Sequence, residues 1–156
     1  MAVKNTYIIE ENKIILIPDC FDLALTLDCG QAFRWVQTGD DEWHGVAFSK
    51  PLTLRKTERG IEFIGTDKDD FENIWIPYFD LERDYGVLCR KFMADRYLAE
   101  AVDTCYGIRL LRQEPWEAIC SFIISQNNNI PRIKGIIDRL CRLLGEPLGN
   151  GDYSFP

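Results

Sequence analysis

Histidine is almost absent from the 156-residue chain, with His44 alone, and the six cysteines Cys20, Cys29, Cys89, Cys105, Cys120 and Cys141 include no Cys-x-x-Cys pair. Zinc sites need several such ligands at short spacings, so no metal site is expected, and nothing in the sequence calls for a cofactor. Reduced, mostly buried thiols fit this scatter better than a disulfide framework, and Cys29 is read as one of them. Long apolar runs are also missing. None approaches the roughly 18 consecutive residues a membrane span needs. Met1 to Lys13 has no charged-then-apolar signal pattern, so the expected address is the cytoplasm. There is no internal repeat, low-complexity tract or flexible linker, and an apolar share of 46% with 12% aromatic residues supports a packed core. A basic surplus is lacking as well. The net charge of -7 argues against a polyanionic partner, because Lys and Arg must replace the counterions of nucleic acid. Its distribution qualifies that: residues 1–108 carry 12 basic and 20 acidic side chains, whereas 109–144 carry 6 basic and 3 acidic. A local basic patch of this kind can steer nucleic acid on an acidic chain.

What is present begins with strands. Ile14 to Ile17 follows the turn-like Glu10-Glu11-Asn12-Lys13 and is closed by Pro18 and Asp19. One or two helical turns are expected over Phe21 to Leu27. From Asp28 to Val36, alternation at Phe33 and Trp35 predicts a half-buried strand with Gly30 at its entrance. Three more strands follow over Trp43 to Phe48, Leu52 to Lys56 and Ile61 to Ile64, joined by turn residues into an antiparallel meander. One face of such a sheet must be covered by something apolar. The stripe Phe71, Ile74, Trp75 and Tyr78, with Asp67 or Asp69 as N-cap, is a natural cover, and helices over Val87 to Phe92 and Asp95 to Tyr106 come next, the second ended by Gly107. The three acids Asp67, Asp69 and Asp70 suit the start of a helix dipole rather than a metal. Trp35, Trp43, Trp75 and Trp116 each fall on an apolar stripe and are expected in the core.

The most unusual stretch is Ser125-Gln126-Asn127-Asn128-Asn129-Ile130-Pro131-Arg132-Ile133-Lys134. Before it, Trp116, Ile119, Cys120, Ile123 and Ile124 have the spacing of one buried helix face; after it, Ile130, Ile133, Ile137, Leu140 and Leu144 step by three and four. Three amides therefore sit in the corner between two amphipathic helices. Asparagine favours caps and turns, and Pro131 is tolerated in a first helical turn, which accounts for one or two of the three. The whole run, with Arg132 and Lys134 behind it, also makes a corner rich in hydrogen-bonding groups that would suit a nucleic acid. Two helices cannot bury both their faces against each other, so a fragment of a longer protein is expected.

Two segments together resemble the 8-oxoguanine DNA glycosylases. Cys29-Gly30-Gln31-Ala32-Phe33-Arg34-Trp35 resembles that family's Gly-Gln-x-Phe-Arg-Trp strand entrance. Leu110-Leu111-Arg112-Gln113, Pro115, Ser121-Phe122-Ile123, Asn127-Asn128-Asn129-Ile130 and Arg132-Ile133 resemble its helix, triple-Asn turn and following helix. The resemblance runs in order over residues 14–156 and covers the N-terminal half of the family's architecture. It implies an α+β fold: an antiparallel sheet with covering helices, like the TATA-binding-protein-like N-terminal domain, over residues 1–108, then the first helices of an all-α glycosylase domain over 109–156. It also implies a bifunctional glycosylase and AP lyase acting as a monomer on duplex DNA with 8-oxoguanine opposite cytosine, at the nucleoid or in the nucleus.

Base extrusion requires the gap to be filled and the flipped base to be read. By resemblance, the carbonyl of Gly30 accepts from N7-H, a donor that 8-oxoguanine has and guanine lacks; by itself, Gly30 is also the residue that permits a bend before a strand. Asn127 matches the residue that enters the vacated space, with Asn128 and Asn129 beside it in the DNA-binding turn. Arg132 matches an arginine that donates to N3 and O2 of the orphaned cytosine, a pairing its fixed donors allow. The family's lysine nucleophile and assisting aspartate belong to a later Leu-Pro-Gly-Val-Gly hairpin, which Gly145-Glu146-Pro147-Leu148-Gly149-Asn150 does not match. No catalytic residue is assigned, and the chain alone is expected to be inactive. The competing reading is a non-catalytic nucleic-acid-binding module complete at 156 residues. An interaction domain whose Asn run is only a turn is a third.

Overall fold

A computed structural model describes residues 6–156, and its organising layer is a six-stranded antiparallel sheet. The strands are β1 (Thr6–Glu10), β2 (Lys13–Ile17), β3 (Trp35–Gly39), β4 (Glu42–Ala47), β5 (Lys50–Thr57) and β6 (Gly60–Ile64), in the order β1-β2-β6-β5-β4-β3. The expected meander is present from β3 to β6. β2 joins it at β6, with Ile14 opposite Phe63 and Ile15 opposite Glu62. β1 was not legible in the sequence because its Ile8 and Ile9 are adjacent and both exposed, which breaks the period of two. Alternation decides which residues enter the core: Ile14, Leu16, Leu54, Ile61 and Phe63 face the helices. Glu62, between two of these on β6, lies on the other face, where Lys13 and Arg55 pair with it.

The covering helix is built from α2 (Lys68–Asp70), a π-helical turn (Phe71–Trp75) and α3 (Ile76–Tyr78). Asp67 caps it, its side chain accepting from Asp70 N–H at 2.8 Å. The wider turn leads directly into Pro77, a residue without an N–H to continue the α-helical pattern, and Ile76 N–H closes the turn on the carbonyl of Phe71. Phe71, Trp75, Tyr78 and Phe79 then pack on Trp35 and Phe63. The indoles of Trp35 and Trp75 are satisfied, Trp35 donating to Tyr78 Oη at 2.8 Å and Trp75 to Thr66 Oγ1 at 3.0 Å. Burial pushes the Tyr78 phenol far above its ordinary pKa, so it stays neutral and accepts that bond.

The remaining elements are α1 (Leu23–Leu27), α4 (Tyr85–Phe92), α5 (Arg96–Thr104), α6 (Pro115–Ser125), α7 (Ile130–Leu144) and the hairpin β7 (Pro147–Gly149) and β8 (Asp152–Tyr153). Asp22, Asp84, Asp95, Glu114 and Asn129 cap the five helices in turn. The hairpin turns through Asn150 and Gly151, both at positive φ, the Asn-Gly signature of a tight β-turn. Ile133, Ile137 and Cys141 of α7 form a second apolar cluster with Phe33, Ile124, Tyr153 and Phe155. Among the described residues, no helix is long and apolar enough to cross a membrane.

Several sequence expectations need correction. The α6 face of Trp116, Ile119 and Ile123 is exposed, as is Phe122 at 68%, whereas the polar Glu117 and Ser121 are buried. Glu117 turns inward because its partner Arg34 lies there, and the apolar stripe faces out. Trp116 is therefore not a core residue; its indole donates to the carbonyl of Pro156. Of the six free thiols only Cys20 and Cys141 are buried, and Cys29 is exposed. The strand expected from Asp28 begins only at Trp35, because 28–34 spends its hydrogen bonds on other partners.

Candidate nucleic-acid interface

Residues 28–35 form an irregular loop entering β3, and Gly30 occupies it at φ +83°, where side chains with a Cβ are strained. Gln31 fixes the loop from one side. Its amide nitrogen donates to the carbonyls of Thr26 at 2.9 Å and Arg109 at 2.8 Å, and its amide oxygen accepts from Leu111 N–H at 2.9 Å. Gln113 in turn donates to the Gln31 carbonyl. The extended segment 109–113 that leads into α6 is thus stitched to the loop, and Gly30 faces the side chain of Ile130, where a Cβ would lie 3.6 Å from Cδ1.

Ile130 begins α7, so the glycine loop and the asparagine corner are neighbours although about a hundred residues separate them in sequence. Within the corner the three asparagines differ. Asn128 donates from its side chain to the Ile124 carbonyl at 3.1 Å, capping the end of α6, and its amide oxygen accepts from Asn129 N–H at 3.0 Å. Asn129 is the N-cap of α7, accepting from Arg132 N–H at 3.0 Å. Asn127 is the exception. It stands exposed at φ +51°, and its side chain has no hydrogen-bond partner among the described residues. Hydrogen bonds thus occupy the side chains of two asparagines, while the third, in the left-handed position just after α6 that asparagine tolerates, keeps its side-chain amide free.

Arg132 is exposed in the first turn of α7 and makes no ion pair among the described residues. Much of the remaining basic surplus is spent internally: Arg109 is buried, Arg112 pairs with Asp80, Lys134 with Asp28 and Arg142 with Asp138. The patch is consequently narrower than the sequence count suggests. A free amide and an unpaired guanidinium lie at one corner beside the N-terminus of a long helix, an arrangement that can donate hydrogen bonds to bases and attract phosphate.

Arg34 braces this corner from beneath. It donates to the Tyr153 carbonyl and lies 3.6 Å from the Glu117 carboxylate, joining the loop, the hairpin and α6. Two cavities lie elsewhere. One, of about 590 Å3, opens between α4, α5 and residues 108–112; another, of about 380 Å3, lies between β3, β4, α7 and the β7–β8 hairpin. Neither is lined by Gly30, Asn127 or Arg132. Among the described residues no three His, Cys, Asp or Glu side chains gather as a metal site requires.

The sequence profile of the domain described as "8-oxoguanine DNA glycosylase, N-terminal domain" matches residues 13–119. The chain belongs to the 8-oxoguanine DNA glycosylase family. Curated relatives include the N-glycosylase/DNA lyase of Saccharomyces cerevisiae, 31% identical over 86% of this chain and 40% of its own length. Another is the N-glycosylase/DNA lyase OGG1 of Arabidopsis thaliana, 29% identical over 86% of this chain and 39% of its own length. This glycosylase-family chain thus spans about 40% of the length of the curated relatives it matches. Among solved structures, MBOgg1 in complex with a low-affinity DNA ligand superposes with a TM-score of 0.92 at 38% identity, over 99% of this chain and 55% of that one. The Clostridium acetobutylicum 8-oxoguanine glycosylase/lyase, in complex with double-stranded DNA containing cytosine opposite 8-oxoG, gives 0.91 at 36%, over 97% and 54%. The α+β sheet-and-helix architecture is that of the family's N-terminal part.

Sequence reasoning singled out Gly30 and the Asn127–Arg132 corner, but it quoted Gln31 and Arg34 only as motif letters and Lys134 only as positive charge. A pH test bears on the Arg34 brace. Burial raises the Glu117 carboxyl above its ordinary value of 4.5, and Arg34 offsets only part of that. Because the folded state holds the proton more tightly than the unfolded state, this group's contribution is greatest at low pH and is lost as pH rises through the raised value. The stability difference between wild type and Glu117→Gln should therefore shift against wild type from about pH 4.5 upward and then level off. Parallel denaturation midpoints across pH would refute this.

Proposed function

We propose that this chain is the N-terminal part of a DNA glycosylase and AP lyase that flips 8-oxoguanine out of duplex DNA opposite cytosine and excises it. The observation that carries the reading is the convergence of Gly30 on Ile130, which joins a half-buried loop backbone at positive φ to the corner bearing Asn127 and Arg132. The named C. acetobutylicum relative, solved with that lesion and that opposing base, supports the substrate class. The boundary between the sheet unit and the helical unit is placed near residue 108, giving 1–108 and 109–156.

In this reading the Gly30 carbonyl accepts the N7-H of the extruded base. Asn127 enters the vacated space, with Asn128 and Asn129 shaping the turn that presents it. Arg132 donates to the orphaned cytosine. The free amide of Asn127 and the unpaired Arg132 suit these roles because neither has an internal bond to give up. The covalent step is assigned to a lysine and an aspartate outside these 156 residues, and the protein works where the DNA is, at the nucleoid or in the nucleus.

Excision by the full-length protein, measured with each of the four bases opposite 8-oxoguanine, tests the assignment. Arg132→Ala should relax the preference for cytosine by ~1–3 kcal/mol, the range of a bidentate base contact. The 156-residue chain alone should leave the lesion duplex uncut. Unchanged discrimination among the four bases would remove Arg132 from the interface, and no excision by the full-length wild type would remove the function.

A further inference from the structure

Lys134 sits one helical turn beyond Ile130 on α7, on the side that meets the glycine loop. Its ammonium donates to two groups at opposite ends of that loop, the Asp28 carboxylate and the Trp35 carbonyl, each at 3.1 Å. The loop between those two points contains Gly30. Lys134 is 25% exposed at its side chain while Asp28 is 59% exposed, so the lysine is the ordered member of the pair and the aspartate closes over it. The Trp35 carbonyl it holds belongs to the first residue of β3, whose side chain is fixed in the core. One end of the clasp is therefore rigid, and the other pulls the loop's entrance toward α7.

We propose that Lys134 is a positioning residue for lesion recognition: by clasping both ends of the 28–35 loop it fixes the direction of the Gly30 carbonyl relative to α7 and hence to Arg132. The inference rests on the functional reading above and deepens it. Lys134 touches neither base in this scheme. It acts through the loop, and the chemistry recognised remains the N7-H donor of an oxidised purine. A carbonyl distinguishes that donor from the lone pair of unmodified guanine only if it points at the ring nitrogen, since hydrogen bonds weaken steeply as the angle departs from linearity. Gln31 holds the loop on the side of residues 109–113 and Asp28 N–H anchors its start to the Ala24 carbonyl of α1 at 3.0 Å, but neither bond ties the loop to α7, which Lys134 does. Without the clasp, the loop loses this tie to α7 and can turn about Gly30, the residue with the widest backbone freedom. The positive charge is thereby withdrawn from the phosphate-binding surplus and used inside the protein.

The test uses the full-length protein and two duplexes, one with 8-oxoguanine and one with guanine opposite cytosine, the target sugar in both carrying a 2′-fluoro group that resists cleavage. Lys134→Met should lower the ratio of the two affinities by ~5- to 10-fold, the scale of one lost charge-assisted bond system. Binding to the guanine duplex and the thermal midpoint should change little. Lys134→Arg, which can still donate to two acceptors, should restore most of the ratio. Equal losses on both duplexes would make Lys134 a phosphate contact or a folding residue, and an unchanged ratio would dismiss it as a surface lysine; either overturns the inference while leaving the functional reading intact. If the wild type itself binds both duplexes equally, the functional reading falls and takes the inference with it.

Discussion

Arg109→Met should cost about 2–6 kcal/mol of folding stability, the sum for two buried carbonyls left without their donors. Arg109 is only 2% exposed, an unusual position for a guanidinium, and its charge is held by geometry rather than by a single counterion. Nε donates to the Cys20 carbonyl at 2.8 Å and Nη1 to the Asp80 carbonyl at 2.9 Å. The guanidinium carbon lies 4.5 Å from the Tyr85 ring centroid and 5.4 Å from that of Phe21. Burial lowers its pKa, opposed by the negative ends of Tyr85, Cys20 and Asp80 around it. Methionine would keep much of the volume and leave two buried carbonyls without donors, each costing about 1–3 kcal/mol. Asp80→Asn makes the contrast. Of the groups its carboxylate accepts from, Arg83 and Arg112 are more than half exposed and can return to water, and the Tyr85 hydroxyl can still donate to the asparagine amide oxygen, so its loss should be smaller than that of Arg109→Met. Denaturant unfolding of the two variants side by side decides the point; equal losses would mean that the carboxylate, not the guanidinium, organises the link.

Arg109 also shows where the sequence stopped being readable. The sheet meander, the capped covering helix and the two helices around the asparagines were legible because period, caps and turn residues act over a few positions. Arg109 gave no local signal: an arginine before two leucines reads as solvated, and its burial follows from carbonyls 89 and 29 residues away. The outward turn of α6 was illegible for the same kind of reason. Its apolar spacing is real, but the helix is oriented by Glu117 meeting Arg34, a pairing that no window of the sequence contains. Phe33 and Trp35 alternate as a strand should, yet one packs with Ile133 and Ile137 and the other with Trp75 and Phe79, so the alternation marks a chain passing between two clusters. The proposed site drew on two sources. Family motifs named Gly30, Asn127 and Arg132, whereas the bonds of Gln31 and Lys134 that hold the loop around Gly30 emerged only from contacts across the fold.

Gly30→Val should abolish preference for the lesion in the full-length protein, a loss of ~3 kcal/mol or about a hundredfold, while costing folding stability less than Arg109→Met does. The argument is conformational rather than steric. Space for a Cβ exists, since the nearest atom, Ile130 Cδ1, would stand at an ordinary 3.6 Å. The obstacle is φ of +83°, a region in which a β-branched residue is a strained outlier. The bonds that hold the loop in the wild type, made at the Gln31 side chain, Asp28 and Trp35, do not act on residue 30 itself and yield to the strain a branched side chain would add there. Valine would therefore relax by rotating the very peptide whose carbonyl is to be presented. Gly30→Ala should lie between, with a loss nearer tenfold, since a single methyl tolerates positive φ better than a branched side chain. Binding to an undamaged duplex should persist in both variants, because Asn127 and Arg132 remain where α7 puts them. A valine variant that still prefers 8-oxoguanine over guanine would show that the base is read by some other group, and Gly30 would revert to a residue that merely lets the chain bend.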